Sequence, residues 1–142
     1  MKPTIKHLFK TASPCKDSGD VREAICNGYA VTNASMWGCT NPRVKGSKYP
    51  ILVGTHNTEW SHQTSFLAWW EHPELGEHIW YMNQWGKGAH GKCPSGMPEG
   101  GMWLPMKEVD SICREGEVFA FSQFEGFPSN DIPKTLFKII GK

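Results

Sequence analysis

The sequence predicts an α+β domain in which an antiparallel sheet, or half-open β-barrel, carries two short helices. Three observations predict it. Apolar runs of strand length recur along the chain, two segments place apolar residues at helical spacing between start and stop residues, and Asn, Gly and Pro clusters separate these pieces. With 142 residues, 39% hydrophobic and 20% charged, the chain matches one domain of common size, residues 1–142.

The first helix is expected from Asp17, with Asp17 or Ser18 as N-cap and Val21, Ala24 and Ile25 on one stripe. Asn27-Gly28 supplies its left-handed stop. Tyr29–Thr32 reads as a strand, 38–49 as a loop, and Pro50–Gly54 as a short strand or extended approach. From Glu59 to Trp70, alternation puts His62, Thr64, Phe66, Ala68 and Trp70 on one face and Gln63, Ser65, Leu67 and Trp69 on the other. Both faces carry bulk, so a central strand is expected. Pro73–Gly76 turns the chain into a returning strand, Ile79–Trp85, and the two form a hairpin. The glycine-rich stretch 86–101 exceeds an ordinary connection and is expected to be functional or mobile. Met102–Leu104 is a strand, a helix runs from Pro105 to a stop at Gly116, and Val118–Phe124 is a strong strand. The tail keeps Ile132, Leu136, Phe137, Ile139 and Ile140 and is expected to dock.

Fifteen Lys and Arg balance fourteen Asp and Glu without a basic run, so nucleic acid is not an expected partner. No window reaches the roughly 18 apolar residues of a membrane span, and no signal-peptide core follows Met1, which makes a cytoplasmic location the default. Five cysteines, an odd number, point to reduced thiols rather than a disulfide framework. Seven Trp and seven Phe suit a ring-rich core.

The chemistry-bearing residues lie on the hairpin. Centring it on His72 and Pro73 pairs Phe66 with Ile79, Thr64 with Tyr81 and His62 with Asn83. Cross-strand Cβ atoms are about 4.5–5.5 Å apart, close enough for the Asn83 oxygen to accept a hydrogen bond from one imidazole nitrogen. Such a bond sets tautomer and ring plane and leaves the second nitrogen for a reacting group. Trp85 falls on the same face as a cover, and Gly86 lets the chain turn away. Taken singly, His62 is an ordinary half-buried strand histidine, Asn83 a turn residue and Trp85 a core ring; the pairing is what gives them a role.

Asn83-Gln84-Trp85-Gly86 resembles the Asn-Ser-Trp-Gly signature of papain-like cysteine peptidases, with Gln84 where the family has Ser. Trp60-Ser61-His62-Gln63 and the strand after it resemble the segment carrying that family's catalytic histidine. Arg22–Thr32 resembles the family's element before the histidine, and Gly101–Leu104, the following helix and Phe119–Pro128 resemble in layout papain-like proteins of phage and bacterial genomes. The likeness covers about residues 20–128 and leaves 129–142 as a tail. It implies the barrel side of a papain-like fold, with His62 as general base, Asn83 as its orienter, Trp85 and Gly86 in support, and a peptide or protein substrate. No cofactor and no metal are expected.

The family's nucleophile opens a helix about 130–150 residues before its His and Asn, whereas 61 residues precede His62 here without a Gly-Ser-Cys-Trp-like segment or an oxyanion Gln. The expectation is therefore the His- and Asn-bearing part of such an enzyme. It would be inactive alone and completed by a cysteine-bearing N-terminal half or by self-association across an uncovered apolar surface. Among its own cysteines, Cys39 beside Trp37-Gly38 and Cys15 shortly before the first helix are the nucleophile candidates; Cys26, Cys93 and Cys113 are bland. The alternative is a non-catalytic scaffold presenting tryptophans to a polysaccharide or protein. His56, His62, His72, His78, His90 and Cys93 are zinc-type donors, but their spacing is poor for a metal site.

Overall fold

The side chain of Asp17 accepts the Asp20 N–H at 2.9 Å, one of the orphan donors at the start of the first helix, and Asp20 in turn accepts the Lys16 N–H at 2.8 Å. In the computed structural model, which describes residues 9–36, 42–55, 61–92, 96–115 and 117–124, this helix is α1, Ser18–Cys26. Gly28, with φ +80°, takes the left-handed conformation after it. The other elements are β1 (Phe9–Pro14), β2 (Ala30–Ser35), β3 (Arg43–Lys45), β4 (Ile51–Val53), β5 (His62–His72), β6 (Gly76–Met82), β7 (Gly101–Pro105), α2 (Met106–Glu115) and β8 (Val118–Phe124).

The protein is mixed α+β, an open eight-stranded sheet with two helices, in the order β1-β8-β2-β5-β6-β7-β4-β3. Every pairing is antiparallel except β4 with β7. β1 and β3 were not expected. Both are edge strands, recognisable only once a partner strand is beside them, and β3 is exposed along its length. The tail beyond 124 lies outside the described residues.

Both helices cover one face. There Val21 and Ala24 of α1 and Val109 and Ile112 of α2 meet Val31, Phe66, Ile79, Tyr81, Leu104 and Val118 in the main core. The opposite face holds a smaller cluster of Ile51, Val53, Trp80 and Trp103, with Ala68 and Trp70 against it. Gly101 sits where a Cβ would come within 2.6 Å of the Trp80 ring and the Tyr81 carbonyl, so only glycine lets β7 lie this close to β6.

The β5–β6 hairpin corrects the expected register. Phe66 faces Tyr81, not Ile79, and Ile79 faces Trp69. The loop is Pro73–Leu75, closed by His72, whose Nδ1 accepts the Glu74 and Leu75 N–H groups, each at 3.1 Å. This side-chain closure recentres the hairpin on Glu74, which strand periodicity does not reveal. The alternation is also corrected. The register shifts between Phe66 and Ala68, so Leu67 is an extra, exposed residue. Phe66 and Trp69 therefore share the helix face, while Ala68 and Trp70 share the other.

The same turn anchors the approach to β4. His72 Nε2–H donates to the Tyr49 carbonyl at 2.7 Å. The Glu74 carboxylate accepts from Ser47 N (2.9 Å), Ser47 Oγ (2.6 Å), Lys48 N (2.9 Å) and Tyr49 N (3.3 Å). These bonds, the Ser47 hydroxyl foremost, hold the Glu74 carboxyl at a pKa of about 2 against an ordinary 4.5. Since the folded pKa lies below the unfolded one, the stabilisation is complete above pH 4.5 and is lost as pH falls toward 2. Glu74→Gln is expected to unfold at lower urea than the wild type at pH 7, with the difference closing across that acid window. Urea midpoints measured at stepped pH check this; a difference that stays constant from pH 5 to 3 would rule out a charge-dependent cradle.

Candidate functional site

His62 is the first residue of β5, where Ser35 of β2 is its cross-strand partner. Asn83 follows the last residue of β6. The ladder's last rung is Ser65 with Met82, so one further step would set Thr64, not His62, opposite Asn83. His62 is therefore the diagonal neighbour of Asn83, on the same face and within reach of a long side chain. Because of Leu67 they share that face: without the extra residue, every side chain from Phe66 back to His62 would be on the other side.

His62 Nε2 lies 2.7 Å from Asn83 Oδ1. The same oxygen accepts the Gln84 backbone N–H at 2.7 Å. That N–H is only ever a donor, so it fixes the orientation of the Asn83 amide, and every other proton in the group follows. Nε2 of His62 must carry hydrogen. In the neutral ring Nδ1 is then the lone-pair nitrogen, and it has no hydrogen-bond partner among the described residues. The Asn83 Nδ2 donates to His90 Nε2 at 2.9 Å, so His90 Nε2 is unprotonated.

Asn83 is 2% exposed. Trp85 supplies the cover: its ring centroid is 4.9 Å from His62, with planes 33° apart, and 5.8 Å from His90 at 40°. Excluding water strengthens hydrogen bonds between groups so enclosed. β6 ends at Met82, short of the strand expected to reach Trp85, because the Asn83 N–H turns to the Gly100 carbonyl at 3.2 Å and its side chain takes the Gln84 N–H. Gly86, with φ +94°, adopts the left-handed backbone that lets the chain leave behind Trp85. Beside the group lies a cleft of about 600 Å³ lined by Ser35, His62, Gln84, Glu115 and Glu117 among others.

Comparison with protein-family models, with curated proteins and with solved structures finds no match. The chemistry rests on this geometry alone.

Cys15 lies before α1 as expected, but it is 6% exposed and packs into the main core. Burial pushes its thiol pKa up, and the Asp20 and Asp17 carboxylates push it further. A helix N-terminus favours thiolate only when its positive end is unneutralised; here two carboxylates occupy it. Cys15 N pairs with the Val118 carbonyl, and Val118, Asn33 and Thr64 are successive rungs, so about three strand spacings, roughly 14 Å, separate Cys15 from Thr64. This corrects Cys15 as a nucleophile for His62. Burial also raises the Cys113 thiol, to about 12, while Cys26 is exposed at the end of α1. Cys39 and Cys93 lie outside the described residues, as does His56. Among the described residues no group of three His, Cys, Asp or Glu side chains gathers to hold a metal ion.

His90 belongs to the constellation although sequence reasoning placed it only among zinc-type donors. It is 7% exposed, and burial followed by the nearby His62 holds its pKa below the ordinary histidine value. The available signal was a histidine seven residues after Asn83 in a loop too long to be a plain connection. Alkylation of the native protein at neutral pH should modify Cys26 readily and Cys15 and Cys113 only on unfolding. Peptide mapping after iodoacetamide checks it; rapid alkylation of Cys15 that slows in His62→Ala would reinstate Cys15.

Proposed function

We propose that the chain supplies the general base and its orienter to a papain-like cysteine peptidase, a thiol acyl-transfer enzyme in which His62 takes the proton of a cysteine and Asn83 holds the ring. The single observation carrying the reading is the 2.7 Å contact of His62 Nε2 with Asn83 Oδ1, which leaves Nδ1 as the unpartnered basic nitrogen among the described residues. An imidazole so fixed is suited to remove a thiol proton and later return it to a leaving amine. On this reading the sheet with its two helices is the barrel side of a papain-like fold. The thiol comes from a separate cysteine-bearing segment docked at the cleft beside His62, in the same polypeptide or another, and a peptide or protein is the substrate.

The rival reading, a non-catalytic module presenting tryptophans to a ligand, gains less support. Trp80 and Trp103 are buried and Trp69 and Trp70 half-buried, which leaves Trp85 as the exposed indole among the described residues, and it lies against His62.

The test is covalent capture. A peptidyl epoxide incubated with the chain alone is expected to label nothing above the background of ordinary thiols. With the completing segment present it should label one cysteine of that segment. In the completed enzyme His62→Ala should lower kcat by roughly 10²–10⁴-fold, the range of general-base catalysis, and Asn83→Ala by less. A complex whose labelling is indifferent to His62 would overturn the assignment, and labelling of Cys39 in the chain alone would overturn the need for a second segment.

A further inference from the structure

The cleft beside His62 runs across the ends of neighbouring strands, from Gln84 after β6, past His62 on β5 and Ser35 on β2, to the junction of α2 with β8. At that last end its wall carries two carboxylates, Glu115 and Glu117, and no Lys or Arg is among the described residues that line it. Glu115 is held in place. The Met36 N–H donates to its Oε2, and Met36 follows Ser35, the cross-strand partner of His62. Glu117 is fixed through its backbone, whose carbonyl accepts the Ala34 N–H at 2.9 Å, while Ala34 pairs with Gln63 beside His62. Glu117 therefore lies two strand spacings, roughly 10 Å, from the strand that carries the base, and the Glu115 carboxylate one spacing closer. Two exposed carboxylates are ordinarily just solvated; here they wall one end of a cavity of about 600 Å³, a size that takes small ligands, whose other part holds an imidazole.

We propose that this cleft binds a cationic side chain, arginine above all, of the peptide whose carbonyl is presented at His62, with Glu115 and Glu117 as the residues that select it. The proposal rests on the reading of His62 as the base of an acyl-transfer enzyme and names the substrate residue that such a site prefers. The distance from the base to the carboxylates suits a long side chain: the stem of Arg or Lys spans it, lying along Ala34 and Met36, the apolar part of the wall, and a short polar side chain does not. Arginine fits better than lysine because its planar fork donates to a carboxylate through two N–H groups at once. The bond from Met36 orients Glu115 without exhausting it, since a carboxylate offers about four acceptor sites. An acidic side chain in the same place would meet two like charges and is selected against. Both glutamates are exposed, so the attraction weakens as salt rises.

The test reads binding rather than turnover and needs only the full chain. Amide spectra of the ¹⁵N-labelled protein are followed during titration with Nα-acetyl-arginine methylamide and with its citrulline counterpart, which keeps the shape and lacks the charge. The arginine probe should shift the Ser35, Met36 and His62 amides and bind roughly 5–20-fold more tightly than the citrulline probe at low salt, with the gap closing as salt is added. Glu115→Gln, which can still accept the Met36 N–H, and Glu117→Gln should each weaken the arginine probe by about 2–5-fold, the range for an exposed charge pair, and leave the citrulline probe unchanged. Equal affinity for the two probes overturns the proposal, as does the absence of shifts at these amides or an arginine preference indifferent to both substitutions. Should Glu115→Gln fail to fold, the probe pair and Glu117→Gln still decide. The two readings fail separately: arginine binding without epoxide capture removes the peptidase and keeps the cation site, whereas capture with equal probe affinities removes only the specificity.

Discussion

One residue without a rung, Leu67, sets the face that each side chain of β5 occupies. Strand side chains alternate with a period of two, so an extra residue inverts the phase for everything on one side of it. On the turn side, Ala68 and Trp70 reach the Trp80–Trp103 cluster and Trp69 reaches the helix face. On the far side, Phe66 enters the main core, Thr64 donates to Asn33 at 3.1 Å, and His62 comes to the face that carries Asn83. Both cores and the polar group are satisfied together only with the phase broken between Phe66 and Ala68. The exposure of Leu67 is the outcome: its backbone is needed as a spacer and its side chain has no partner surface to fill.

From that placement the polar group assembles around one amide. Asn83 takes two donors on its oxygen and gives one hydrogen from its nitrogen, which satisfies a side chain almost wholly removed from water. A buried amide left unpaired would cost about 1–3 kcal/mol, so the network and its Trp85 cover are mutually dependent. The cover excludes water, and the bonds make the exclusion tolerable. The direction of every proton descends from the Gln84 backbone N–H, the one group in the set whose role is not negotiable.

The two buried thiols are built the opposite way. Cys15 and Cys113 sit in the main core near the carboxylates that cap and brace the start of α1, Asp17, Asp20 and Asp110, the last of which accepts the Ser18 N–H at 2.8 Å. Burial first, and then the same negative charges that complete the α1 cap, disfavour thiolate at this end of the fold. The imidazole and the two buried thiols are thus at separate places, which is the physical ground on which the proposed function takes its nucleophile from a different segment.

Local chemistry was enough to read α1 with its Asp17 cap and Gly28 stop, α2, the β5–β6 hairpin, β8, and the association of His62 with Asn83 and Trp85, because caps, turns and alternation are written in consecutive residues. What local pattern cannot encode is pairing between distant segments. β1 and β3 exist as strands because β8 and β4 are beside them, and the hairpin register follows from His72 closing the turn rather than from hydrophobic periodicity. The expected register and the actual one differ by two residues beyond the bulge, an even step, and so both bring His62 and Asn83 to one face. His90 was out of reach altogether: seven residues of glycine-rich chain separate it from Asn83, and only the folded loop converts that separation into a 2.9 Å hydrogen bond. Residue chemistry alone brought His62 and Asn83 together, but the tautomer of His62 required the network, because a proton's position depends on every partner the group meets in space.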